Sequence, residues 1–108
     1  MFYIDDDNNI HLTRGNTAII DISITDDQGE EYNLHSGDVL EFSLKRSSDF
    51  NNVLLNKRVT EKQFTFVTND TINLSFGTYK YDITLFGGNG GVDTFISGDF
   101  NIESEVHE

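Results

Sequence analysis

Residues 77–102, GTYKYDITLFGGNGGVDTFISGDFNI, form two alternating stretches joined by a run of glycines, and they limit the fold more than any other part of the chain. In the first stretch Tyr79, Tyr81, Ile83 and Leu85 share one side; in the second, Val92, Thr94, Ile96, Phe100 and Ile102 do. A period of two is that of a β-strand, and strands with one apolar and one polar face suit an antiparallel sheet packed on a core. The inward positions are odd-numbered before the turn and even-numbered after it. Facing pairs therefore sum to an odd number, which predicts an even-length loop such as residues 87–90 unless a bulge intervenes.

The same glycines do not read as a ligand cradle. In GGNGGVD (residues 87–93) valine stands where a calcium-binding nonapeptide needs aspartate, and there is one copy where a stack is required. The Lys-Ser/Thr pair and following helix of a phosphate-binding loop are also missing. A hairpin turn is the remaining reading.

Other strands follow from the same alternation. Residues 2–4 read as a short edge strand, 5–9 as a polar turn and 10–13 as a second short strand, with Arg14-Gly15-Asn16 a tight connection. Residues 17–25 are the clearest single strand, with Ala18, Ile20, Ile22 and Ile24 inward; Ile19 interrupts the polar face, which implies partial cover there. Asp26-Asp27-Gln28-Gly29 has β-turn composition, and Tyr32 and Leu34 after it cover the core edge. Residues 39–46 alternate with Leu40, Phe42 and Leu44 inward, 47–52 read as a polar loop, and 53–59 as a weaker strand whose Val53-Leu54-Leu55 run does not alternate. Phe64 and Phe66 share a face of residues 63–67, and 68–76 has room for one helical turn capped by Asn69 or Asp70, with Ile72 and Leu74 inward. Seven or eight short strands and no long helical period predict an all-β fold, an antiparallel β-sandwich whose interior is filled by Phe42, Phe64, Phe66, Tyr79, Tyr81 and Phe100. At 108 residues this is one domain, with residues 103–108 an acidic tail expected to fray.

Charge narrows the partners. Nineteen acids against seven bases give a net −12, and the local basic pairs, Lys45-Arg46 and Lys57-Arg58, have acidic neighbours. Such a chain lacks the basic footprint that nucleic acid or an anionic membrane requires. No cysteine is present, so disulfides and thiolate zinc sites are excluded. There is no apolar run of the roughly 18 residues that a membrane span needs, and MFYIDDDNNI does not read as a signal peptide, so an intracellular site of synthesis is expected.

Asp5, Asp7 and Asn9 place side-chain oxygens at alternate positions, as calcium loops begin, and are the weak metal candidates. The loop lacks the glycine and the bidentate glutamate that would complete it, and a solvated turn is the preferred reading. His11, His35 and His107 have no local partner at metal-ligand spacing, and no serine stands in a nucleophile elbow. Neither a catalytic residue nor a cofactor is assigned, and the expectation is a non-enzymatic protein. Phe86 and Phe95 occupy positions that alternation assigns to the wet face of the hairpin. If they are exposed they mark a protein-docking surface, and tucking beneath a loop is the alternative.

Three stretches, IHLTRGNTAIIDISITDDQGEEYNL, SGDVLEFSLKR and LSFGTYKYDITL, carry a resemblance that spans nearly the whole chain. Leu12-Thr13-Arg14-Gly15-Asn16-Thr17 before an alternating strand, Tyr32-Asn33-Leu34 before a turn, Phe42 with Leu44, and Gly77-Thr78-Tyr79 opening a long strand are similar to the N-terminal domain of baseplate upper proteins from phages of Gram-positive bacteria. They are also similar to immunoglobulin-like tail modules. The resemblance implies an immunoglobulin-like sandwich that docks on other virion proteins or on itself, without cofactor or turnover, in a virion assembled in the bacterial cytoplasm. Members of that family continue into a longer chain whereas this sequence stops at Glu108, so the expectation is a free-standing small virion or prophage component. The competing expectation is an extracellular immunoglobulin-like module that binds carbohydrate or protein; without tryptophan, its sugar platform has to be Tyr or Phe.

Overall fold

The computed structural model describes residues 2–46 and 49–104. Two sheets face each other. The larger has six strands, in the order β1 (Phe2–Ile4), β2 (Ile10–Thr13), β8 (Val92–Glu103), β7 (Gly77–Phe86), β4 (Val39–Arg46) and β5 (Asp49–Val59). The smaller pairs β3 (Ala18–Asp21) with β6 (Gln63–Phe66). Among the described residues the one helix is α1 (Thr68–Thr71), a single turn, and no helix is long and apolar enough to cross a membrane. The arrangement is a sandwich of mostly antiparallel strands. One pairing departs from the antiparallel expectation: β2 runs parallel to β8, with Ile10 opposite Phe100 and Leu12 opposite Ile102. The β1–β2 hairpin folds back onto the free side of the last strand, and this joins the two ends of the described chain.

The core lies where the alternation requires it. Leu40, Phe42 and Leu44 from β4, Tyr79, Tyr81 and Ile83 from β7, Phe100 and Ile102 from β8, and Phe64 and Phe66 from β6 are all buried. Phe42 is the hub. Its ring stacks on Tyr81 at 5.5 Å and meets Phe66 edge-on at 5.1 Å, with Phe64 and Phe100 each at 5.9 Å. Aromatic pairs at these separations add to the free energy of area burial.

Several sequence expectations change in detail. Inward alternation runs through Ala18, Ile20, Ile22 and Ile24 as expected, but β3 is short because its partner β6 has four residues. Beyond it Ile22 N–H donates to Lys62 C=O (2.9 Å) and Tyr32 N–H to Ile24 C=O (2.8 Å). Ile19 is 59 % exposed, so the outer face of β3 is not covered there. Residues 49–52 are strand rather than loop, while Ser47 and Ser48 lie outside the described residues. In α1 the buried side chain is Thr71, whose hydroxyl accepts from Gly15 N–H (2.8 Å), and Ile72 is 38 % exposed instead of inward. The residue at the cap is Val67 rather than Asn69 or Asp70; Asp70 stands inside the turn, and its carboxylate accepts Val67 N–H at 2.8 Å. Of the expected tail, Glu103 closes β8 and residues 105–108 are outside the description.

The hairpin keeps its odd-sum register from Gly77↔Ile102 to Ile83↔Ile96 and then shifts, so that Thr84 faces Thr94 and Phe86 faces Val92. Phe95 is the extra residue of a β-bulge. The loop is consequently residues 87–91, five residues long rather than an even number, and the faces of the last strand residues are exchanged. Val92, expected inward, is 67 % exposed for that reason, and Thr94 is exposed with it.

Candidate functional site

The two sequence-predicted docking residues are both half-buried, and the bulge separates them. Phe86 lies on the outer side of the large sheet with the Arg58 guanidinium 5.4 Å from its ring centre, a cation–π contact between β7 and β5. Phe95 packs against the core cluster from the bulge. Strand alternation assigns them one face; the extra residue turns one of them inward.

At the hairpin tip the chemistry is concentrated on Asp38, 5 % exposed just before β4. Its carboxylate accepts the Tyr32 hydroxyl (2.6 Å), the His35 amide (2.9 Å) and the Gly88 amide (2.9 Å). These bonds, the Tyr32 hydroxyl first, hold the Asp38 carboxyl down at about 2. They tie the segment before β4 to the β7–β8 turn. Gly88 is required at the junction because a Cβ there would lie 2.9 Å from Ser36 O and 3.2 Å from the Gly37 backbone. His35 stands beside this knot, its Nδ1 3.3 Å from the Tyr32 hydroxyl.

A second knot joins the two ends of the described chain. His11 on β2 places Nδ1 2.9 Å from Glu103 Oε2 on β8 and Nε2 3.3 Å from Asp5 Oδ2 in the β1–β2 turn. A neutral imidazole has one N–H and would turn a lone pair toward one of the carboxylates; the imidazolium donates to both. The pKa of His11 is accordingly raised, by the Glu103 hydrogen bond most and by Asp5 in addition. Asp5 has its other oxygen filled by the Asp7 and Asn9 amides (2.9 Å each), and the Asn9 amide is the largest cause of its lowered pKa. Of the metal candidates, Asp5 is thus engaged with backbone and His11, and Asn9 Oδ1 accepts from Asp99 N–H (3.0 Å). Among the described residues no three His, Cys, Asp or Glu side chains are grouped to hold a metal. His107 lies outside them.

Tyr81 completes this knot from inside. Burial pushes its phenol up to about 12, and its hydroxyl donates to Asn8 C=O at 2.6 Å. Asn8, at φ 66, sits directly over Gly98 of β8, where a Cβ would be 2.6 Å from Asn8 O. Sequence reasoning passes over both knots because their members are distant: Asp38 and Gly88 are 50 residues apart, His11 and Glu103 are 92. Nothing matched this chain in comparisons with protein-family models, curated proteins and solved structures.

Proposed function

We propose that the chain is a non-enzymatic structural module of a phage or prophage particle, associated with the tail or baseplate, that acts through contacts with other virion proteins. The observation that carries this reading is the state of the strand edges. Among the described residues the large sheet ends in β5, an 11-residue strand that pairs on one side alone, and both strands of the small sheet have one free side. Unpaired edges are where sheet proteins join one another, and folded monomers usually cover or shorten them. The finer fold is read as immunoglobulin-like: the order β8-β7-β4-β5 facing β3-β6 corresponds to a G-F-C-C′ sheet opposed by strands B and E. It favours the tail-module resemblance over an unrelated sandwich, although a fold by itself fixes no activity. The prominent polar groups also suit a passive role, because Asp38, Asp5 and His11 fasten loops and strand ends. Mixing the purified chain with the products of neighbouring genes and measuring size tests the reading. Formation of a defined complex is the expected result; strict monomer behaviour with every neighbour contradicts it.

A further inference from the structure

We infer that a groove between β5 and β6 receives an extended acidic strand from a partner protein, paired in register with the free edge of β6; this rests on the assembly reading in taking the occupant to be protein. The phase of the small sheet is the first observation. Ile22 N–H donates to Lys62 C=O, so that pair is hydrogen-bonded, and it continues the register in which Ile20 faces Phe64 and Ala18 faces Phe66. Antiparallel ladders alternate. Phe64 and Phe66 therefore spend their backbone groups on β3, while Gln63 and Thr65 direct N–H and C=O away from it. Gln63 and Thr65 are also the β6 residues that line the groove, which measures about 560 Å³.

The second observation is the mismatch between sheets. Six strands face two, and on this side the inner face of β5 reaches beyond the small sheet. Leu55 and Val59 are left half-buried at the margin of the core. One strand added beside β6 makes the small sheet three-stranded and covers them, the geometry of strand addition in which main-chain bonds give affinity and alternate side chains give selectivity.

Charge chooses the occupant. Residues 39–66 hold five bases and three acids, whereas the residues before them hold nine acids and one base, and those after them seven and one. The one net-positive stretch of a −12 chain thus contains β5, β6 and the groove. Lys57, opposite Phe42, stands on the inner face of β5 at the groove, whereas Arg58, opposite Glu41, lies on the outer face. Lys57 Nζ is 2.9 Å from Asp70 and 5.4 Å from the Phe66 ring, and Arg58 is 56 % exposed. An incoming strand with carboxylates toward the inner face of β5 meets Lys57, and one with basic side chains meets repulsion.

The test titrates the labelled full chain with two ten-residue peptides, one alternating valine with glutamate and the other valine with lysine, and reads amide shifts and hydrogen exchange. The glutamate peptide is expected to shift Lys57, Val59, Gln63 and Thr65 and to slow exchange of the Thr65 amide about tenfold; the lysine peptide has no such effect. Thr65→Pro removes an N–H that β3 does not use, so it should keep the melting temperature and abolish peptide binding. Lys57→Gln, which leaves the backbone alone, should weaken binding about threefold. Equal binding of both peptides, protection at β1 or β3 instead, no protection at all, or full binding by Thr65→Pro overturns the inference. The neighbouring-gene mixture, run with wild type and Thr65→Pro together, separates the two readings. If both associate equally, the groove is wrong and the assembly role stands. If neither associates while the glutamate peptide binds, the groove stands and the assembly role falls.

Discussion

The two sides of this sandwich are finished differently. Along β2 and β8 the larger sheet is sealed: the β1–β2 turn rests on Gly98, Tyr81 reaches Asn8, and His11 bridges Asp5 and Glu103. Along β5 and β6 the layers stop short of one another, and Lys57, Arg58, Gln63 and Thr65 line the gap. The sealed side shows how a small all-β chain without disulfides holds its ends together: directional polar contacts stand on top of buried area. The open side, among the described residues, keeps single ion pairs such as Lys57–Asp70 but leaves unpaired strand edges and half-buried leucines beside charge. One side belongs to stability, and the other is where the proposed partner strand would pair.

Truncation of matched leucines gives the largest expected contrast. Leu12, fully buried on β2, should cost about 3 kcal/mol on replacement by alanine, whereas half-buried Leu55 on β5 should cost about 1 kcal/mol or less. Denaturant unfolding measures both, and equal losses would erase the distinction. Gly98→Ala comes next. Its Cβ would stand 2.6 Å from Asn8 O, so the β1–β2 turn must lift, at a cost of about 2 kcal/mol with new amide shifts confined to β1, β2 and the turn.

Tyr32→Phe sharpens the comparison at the hairpin tip. Loss of the hydroxyl from Asp38 should cost about 1.5 kcal/mol and move the carboxyl back toward its ordinary 3.8. Because the folded pKa lies below the unfolded one, the stabilisation from Asp38 is complete above about pH 4 and is lost as pH falls toward 2. Acid unfolding of Tyr32→Phe should accordingly begin at higher pH than in wild type. The smallest effect concerns His11, whose pKa is raised. Its contribution is full below the ordinary 6.5 and declines as pH rises through the folded value. Melting temperature should fall slightly over that alkaline step, and His11→Gln should flatten the dependence.

Much of this was legible in the residues, and the failures have physical causes. Inward positions such as Leu40, Phe42, Leu44, Phe64 and Phe66 follow from period two because burial of one face is local information. Strand partners are not local. Nothing in residues 10–13 announces a parallel neighbour 90 positions away. Bulges do leave a trace, two apolar residues in succession: Phe95-Ile96 stands at the shift in β8, and Val53-Leu54-Leu55 at the shift opposite Leu44 and Lys45. Read as a face, Phe95 suggests a docking surface; read as a bulge, it marks a change of register. The Asp38 and His11 knots required three-dimensional proximity, and the residue types alone gave no hint of their partners.

Amide hydrogen exchange over residues 63–66 in the free chain tests the open side most directly. Protection is expected to alternate, slow at Phe64 and Phe66, whose N–H groups bond β3, and fast at Gln63 and Thr65, whose N–H groups face the groove. Uniform protection across the four residues would mean that the edge is already covered, and would contradict the account.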